Sequence, residues 1–349
     1  CIRRNINKSA FSHERSVSKT ELVSYTDLFH SFSSKRILVI GDVMLDAYLM
    51  GTVNRMSPEA PVPVVDLMKK DERIGGAGNV ALNLAALGAS PIICSVIGAD
   101  SEGERLLHLF QEANISTEGI YASSNRITTV KTRVLSNNQQ LLRIDSEDTS
   151  LISKEEETQL YQQIERIVEQ GIDGIIFEDY NKGVLTSYLI SSVMILAKFH
   201  GIPTSVDPKK DQFFSYRGCT LFKPNLKELK EGLKVEFDFK NDKDSFLKAV
   251  VELEERLENE ISFITLSEYG VFIQAQGTPH FIPAHLRNIA DVSGAGDTVI
   301  AVATLCLVAG ASAAEIAAIA NIAGGLVCEQ PGVVSIEKER LLNEVNNLL

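Results

Sequence analysis

The stretch RILVIGDVMLDAYLMGTVNRMSPEAPVPVVDLMKKDERIGGAGNVALNLAALGASPIICSVIG, Arg36 to Gly98, decides the architecture. It opens with RILVIGD (Arg36–Asp42), a β-branched apolar run that predicts a strand buried on both faces. It closes on SPIICSVIG (Ser90–Gly98), a second run of the same kind. Between them, GGAGNVALNLAALGA (Gly75–Ala89) starts on glycines and then sets Val80, Leu84 and Leu87 on one helical face. Outward from there the pattern recurs. GIIFED (Gly174–Asp179) and PTSVDP (Pro203–Pro208) read as further buried strands. SEGERLLHLFQEAN carries Leu106, Leu107, Phe110 and Ala113 on one face behind a capping box of Ser101 and Glu104. Strands alternating with helices predict an α/β sandwich with a mainly parallel sheet covered on both sides.

Two stretches break the alternation. Residues from about 47 to 74, and again 128 to 147, follow the strand period with no helix between. Pro58, Pro61 and Pro63 crowd the first, which marks it as an edge or irregular strand. Together they are expected to form a small β-lid, inserted into the α/β body and able to close over a substrate. The last third predicts helices over Ala295–Gly310, Ser312–Gln330 and Ser335–Leu349. Residues 1–34 read as a polar extension with a short helix near Leu22–Phe32, ahead of a single domain over 35–349.

Bulk properties narrow the class of function. The 349 residues are 44% hydrophobic and 23% charged, which suits a soluble enzyme with a full core. A formal net charge of −12 with no Lys/Arg stripe argues against a nucleic-acid partner. The five cysteines have no C-x-x-C spacing, so buried thiols in a reducing, cytoplasmic setting are expected rather than disulfides or zinc. No run approaches a membrane span, and the N-terminus lacks a signal-peptide core. The first residue is Cys1 rather than Met, consistent with a trimmed chain.

Chemistry concentrates in DVSGAGDTVIAVA (Asp291–Ala303). Gly294, Ala295 and Gly296 open an apolar helix whose first amides are free to hold an anion. Asp297 sits in the first turn. A carboxylate there repels phosphate unless it has a task, and accepting a proton from an attacking hydroxyl is that task. Taken alone, the pattern also fits an ordinary helix start. The Gly75–Ala89 segment is a second glycine-led helix, in which Gly76 admits close approach and Asn79 offers donor and acceptor to hydroxyls; its glycines alone would also serve helix–strand packing. No Walker-type glycine loop and no dinucleotide fingerprint is present.

GGxxN early and DxxGAGD late, with a β-lid between the early strands, resemble the PfkB (ribokinase-like) carbohydrate kinases from about Arg36 to the C-terminus. The resemblance implies a ribokinase-like three-layer sandwich, Asp297 as catalytic base, and the amides of Gly294, Ala295 and Gly296 around the transferring phosphoryl group. KPNLKELK (Lys223–Lys230) is similar to the family's N-x-x-E element, in which Asn225 and Glu228 organise Mg²⁺ largely through water. A helix cap at Asn225 is the plainer reading of that pair. ATP contacts implied on the same footing are Lys209 in SVDPKK, Ser267 and Gly270 in TLSEYG, and Asn321 in IANIAGG. A monovalent cation is compatible with the pattern.

Within the family, GDVMLDAYLMGTVNRMSPEAPVPVV, KTRVLSNNQQLLRIDSED and DYNKG (Asp179–Gly183) look like the kinases that phosphorylate D-glycero-D-manno-heptose 7-phosphate at its anomeric C1 hydroxyl, on the route to ADP-heptose for lipopolysaccharide. On that likeness Asp42, Gly76 and Asn79 position the sugar. Arg133, Arg143 and Lys182, with Asn137 and Gln140, supply charge and hydrogen bonds for its phosphate. The lid arginines could equally pair with Asp145 or Glu147. Enzymes of this type often carry a nucleotidyltransferase with an H-x-G-H motif; none occurs before Leu349, so the kinase step alone is expected of this chain. Exposed lid edges suggest a homodimer. A kinase of fructose, ribose or a hexose phosphate, and a catalytically silent sugar or nucleotide binder, stay open as alternatives.

Overall fold

The structure, a computed structural model, describes residues 24–137 and 139–349. Helix α1 (Tyr25–Ser31) leads into β1 (Arg36–Gly41), then the long strands β2 (Val43–Met56) and β3 (Pro63–Gly76). Next come α2 (Ala77–Ala86), β4 (Ser90–Gly98), α3 (Ser101–Glu112), β5 (Ser116–Ser123), β6 (Val130–Ser136) and β7 (Gln139–Ser146). The middle of the chain contributes α4 (Lys154–Glu169), β8 (Gly174–Glu178), α5 (Ser187–His200), β9 (Thr204–Asp207), β10 (Leu221–Phe222), α6 (Leu226–Leu233) and α7 (Lys243–Leu257). The last third holds β11 (Ile261–Thr265), the hairpin β12 (Val271–Ala275) and β13 (Thr278–Ile282), then α8 (Ala295–Val308), α9 (Ala313–Cys328) and α10 (Lys338–Leu348).

Nine strands form the main sheet in the order β13-β12-β11-β10-β9-β8-β1-β4-β5. All neighbours from β11 to β5 pair in parallel; only the β11–β12 and β12–β13 pairs are antiparallel, so β12 alone is reversed. The period of two in β1 shows why both faces are covered. Ile37 and Val39 enter one core with α1, α2, α3, α8, α9 and α10, while Leu38 and Ile40 enter the other with α4, α5, α6 and α7. Each of these four is fully buried, roughly 1.5–3 kcal/mol of transfer free energy apiece. The result is the expected α/β three-layer sandwich. Strand β1 lies between β4 and β8, so the sheet order reverses there, and ligands in such sheets bind outside the carboxyl ends at the reversal.

The second sheet has the order β3-β2-β6-β7. Of the stretch expected to be an edge or irregular strand, β3 is an edge strand and β2 is not. Strand β2 is internal, pairing with β3 on one side and β6 on the other, with irregularities at Met50/Gly51 and Val53/Arg55. Pro58 and Pro61 fall in the connection between β2 and β3, and Pro63 is the first residue of the edge strand β3, so none interrupts a ladder. The helix α3 also starts differently. Asp100, not Ser101, is its N-cap and accepts from Gly103 N, because an acidic side chain one residue earlier already meets the free amides. Asp100 further accepts from Thr128 N at 2.8 Å and Thr128 Oγ1 at 2.6 Å, tying the helix to the segment entering β6. Helix α1 falls within the short helix expected near 22–32; Phe29 on it and Phe32 just after it are completely buried. The remainder of the polar extension, residues 1–23, lies outside the described residues.

Candidate active site

The carboxyl ends of the central strands bring the chemistry together. Asp42 follows β1, Glu178 ends β8, Asp207 ends β9, and Lys223 and Asn225 follow β10. Facing them is the start of α8. Its N-cap Gly294 has φ +77°, a left-handed conformation suited to glycine, and no side chain caps the helix. Ala295 N donates to Val292 O at 3.3 Å, which takes one of the three amides expected to hold phosphate into a local turn.

Asp297 is 7% exposed. Its Oδ2 accepts from Asn79 Nδ2 at 2.7 Å and its Oδ1 from the Tyr180 hydroxyl at 2.8 Å. Burial pushes its carboxyl up to about 6; the Asn79 and Tyr180 donors pull down, nearby Asp207 pushes up, and Lys223 pulls down. Such a group is charged at neutral pH yet basic enough to take a proton. Oxygens of Glu178, Asp207 and Asp297 lie within 4.8 Å of one another. Lys223 balances Asp207 at 2.8 Å, and Lys209 bonds Glu228 at 2.6 Å with Asp207 at 3.9 Å. Glu178 is fully buried, with no hydrogen-bond partner for either oxygen among the described residues. Burial, then the charges of Asp207 and Asp297, hold it well above the usual carboxylate range.

Gly76 caps α2 at φ +61°, and a Cβ there would run into the Asp42 carbonyl. Asn79 is 1% exposed; its amide is engaged by the Asp297 carboxylate, a different employment from the expected contact with sugar hydroxyls. Asp42 departs from expectation in the same way. It is 1% exposed and accepts from the backbone N–H groups of Tyr180, Lys182 and Val184, so its oxygens hold the 179–184 loop. The reason is position: at the sheet reversal, the free amides of that loop reach it first.

Lys131, Arg133, Arg143 and Lys182 are each paired with a carboxylate. Arg133 bonds Asp46, Arg143 chelates Asp145, Lys182 meets Glu147 at 2.7 Å, and Lys131 bridges Asp145 and Glu147. Arg143 thus takes Asp145 within its own strand, while Arg133 pairs across strands with Asp46 rather than with Asp145 or Glu147, and a phosphate would have to compete for these groups. Gln140 lies on the exposed strand β7 and Asn137 in the turn before it, at φ +49°. Tyr48 stacks against both Arg73 and Arg133, with 4.9 and 5.3 Å from guanidinium to ring centre. Neither Tyr48 nor Arg73 stood out in the sequence, because only the lid register brings them to Arg133.

On the other side of α8 a cavity of about 530 Å³ is lined by Ser267, Gly270, Ala295, Gly296, Asn321 and Cys328, among others. It gathers Ser267, Gly270, Gly296 and Asn321, while Lys209, Asn225 and Gly294 do not line it. The Asn321 amide donates to Pro283 O at 2.9 Å. Asn225 caps α6 and forms a capping box with Glu228, whose other oxygen meets Lys209. Both the plain cap and the proximity to Lys209 and Asp207 hold. A larger cavity, about 830 Å³, opens at the opposite, amino-terminal edge of the strands beside α5 and carries none of these residues.

A family model described as pfkB family carbohydrate kinase matches residues 34–340. The chain belongs to that family. It is a sugar kinase by family and fold. Among curated relatives, bifunctional protein HldE of Methylobacillus flagellatus is 42% identical over 312 residues, covering 89% of this chain and 63% of the relative. Bifunctional protein HldE of Citrifermentans bemidjiense is 41% identical over 322 residues, covering 91% and 65%. The chain thus spans less than two thirds of the length of these relatives. Phosphofructokinase-2 from Escherichia coli in complex with fructose-6-phosphate superposes with a TM-score of 0.72 at 18% identity, covering 89% of this chain and 99% of that one. Arabidopsis thaliana ribokinase complexed with ribose and ATP gives 0.69 at 16%, covering 90% and 99%. At these identities the two structures speak for the fold alone.

Proposed function

We propose that the chain transfers the γ-phosphoryl group of ATP to the anomeric C1 hydroxyl of D-glycero-D-manno-heptose 7-phosphate, giving the 1,7-bisphosphate. The observation that carries the chemistry is Asp297: a buried carboxylate at the uncapped start of a helix, raised to about 6 and held by two neutral donors. The relatives named HldE, about 40% identical across most of the chain, support the heptose substrate.

In this mechanism Asp297 accepts the hydroxyl proton as the sugar oxygen bonds to phosphorus and the bond to ADP breaks. The α8 amides at Gly294 and Gly296 stabilise charge on the equatorial phosphoryl oxygens. ATP occupies the cavity bounded by Ser267, Gly270 and Asn321, with Lys209 near its phosphates. The Asn225–Glu228 pair, one amide and one carboxylate fixed by a capping box, fits an ion that keeps most of its own waters. These two residues would hold Mg²⁺, which when bound neutralises charge on the nucleotide phosphates. Gly76 lets the backbone approach the sugar, and Arg133, Arg143, Lys182 and Gln140 form the end of the site that receives the 7-phosphate. Charge pairing with Asp46, Asp145 and Glu147 keeps those cations ordered until the anion replaces the carboxylates.

The domain reading follows: residues 35–349 act as one kinase unit with lid segments near 47–74 and 128–147, after an extension over 1–34. A homodimer through the lid is part of the proposal. Leu142 and Ile144 on β7 are half exposed, an apolar strip on an edge strand that a second lid would cover.

An ADP-release assay with Mg-ATP, comparing the heptose 7-phosphate with fructose 6-phosphate, ribose and fructose, tests the substrate. Selective turnover of the heptose phosphate is expected, since a built phosphate site discriminates strongly against sugars lacking one. Preference for another sugar would remove the heptose assignment and leave the kinase chemistry.

A further inference from the structure

The loop Asp179–Val184 is held from three sides, and its one side chain aimed at the reaction centre is Tyr180. Asp42 accepts the backbone N–H groups of Tyr180, Lys182 and Val184. Asp179 accepts from Asn181 N at 2.8 Å and from the Tyr216 hydroxyl at 3.1 Å. Asn181 at φ +53° and Gly183 at φ +91° give the loop its shape, and a Cβ on Gly183 would strike the Ser150 carbonyl. This scaffold delivers the Tyr180 hydroxyl to Asp297 Oδ1.

We propose that Tyr180 is a positioning residue for Asp297: its hydroxyl fixes the carboxylate's orientation and favours the charged form that accepts the proton. The inference rests on the reading of Asp297 as the base. The surroundings explain the need. From β8 comes Glu178 and from β9 Asp207, both acidic. The two cations nearby, Lys223 after β10 and Lys209 after β9, are already bonded to Asp207 and Glu228. From α2 the neutral Asn79 supplies one donor, at Oδ2. Tyr180 is the second donor and the one on the other oxygen. A hydrogen bond to a charged group is strong because the ion has no water to replace it.

Tyr180→Phe keeps the ring and the backbone anchors while removing the donor. The test is the pH profile of kcat/KM for the wild type and Y180F, together with a ¹³C NMR titration of the Asp297 carboxyl without substrate, its signal assigned by its loss in D297N. The proposal expects both midpoints to rise in Y180F by about 1–2 pH, the size of one such bond. Activity should then fall roughly five- to fiftyfold at pH 6 and recover most of the wild-type value near pH 8.5. Equal loss at every pH, or an unchanged NMR midpoint, would overturn it. Absence of sugar turnover by the wild type would instead defeat the base reading, and the NMR titration would still decide the Tyr180 contact.

Discussion

At the scale of single residues, Asp297 sets the terms. Burial raises its carboxyl to about 6 against 3.8 for a free aspartate, so two linked effects follow. First, the acid limb of kcat/KM should have its midpoint near pH 6, because the base must be charged; a limb near 4 would argue for a different group. Second, the charged form is disfavoured by folding. Below pH 3.8 both states are protonated and nothing is lost, while through 3.8 to 6 stability falls and stays lower above. Replacing Asp297 with Asn should therefore raise the folding stability, and with it the melting temperature, at pH 8 but not at pH 3.5, the gain in stability being on the order of 3 kcal/mol at most. Scanning calorimetry at the two pH values reads this directly. The DxxGAGD pattern made Asp297 visible in the sequence, since glycines and an acid at a helix start imply their own chemistry. Its hydrogen-bond partners were not visible. Asn79 and Tyr180 lie 218 and 117 positions away, and only the tertiary fold decides that they meet Asp297 rather than a sugar or solvent.

Among the elements, strands β1, β4, β8 and β9 of the main sheet and the helices α8, α9 and α10 could be read from periodicity because their burial is simple: both faces for a strand, one stripe or all round for a helix. Strands β5, β10, β11, β12 and β13 escaped, and so did the internal position of β2. Three prolines in a row of strand signals suggested an edge, but pairing partners decide edges, and those lie 80 residues further on. The cap of α3 is a similar case: Ser101 was the expected cap, and Asp100 takes that place, bonded also to Thr128. That double engagement makes a prediction. Asp100→Ala should lose an N-cap worth about 1 kcal/mol plus the bonds to Thr128, some 1–3 kcal/mol in total. Urea unfolding should show a lower midpoint at unchanged slope; a midpoint within error of the wild type would remove the link between α3 and the lid.

For the molecule as a whole, sheet order and lid together set the proposed acceptor and nucleotide regions on either side of the α8 start. Among the described residues no helix is long and apolar enough to cross a membrane. The apolar strip at Leu142 and Ile144 carries the dimer proposal, so light scattering should give a dimer for the wild type and a monomer for L142K/I144K with the fold retained. A wild-type monomer at micromolar concentration would contradict it.

The central claim is phosphoryl transfer from ATP to C1 of the sugar phosphate with Asp297 as base. A ³¹P NMR time course with Mg-ATP and D-glycero-D-manno-heptose 7-phosphate tests it most directly. The account predicts a new anomeric phosphate signal coupled to H1, growing as ADP appears, and slowed roughly 10²–10⁴-fold in D297N. A new phosphate ester at another carbon, or an unchanged rate in D297N, would contradict it.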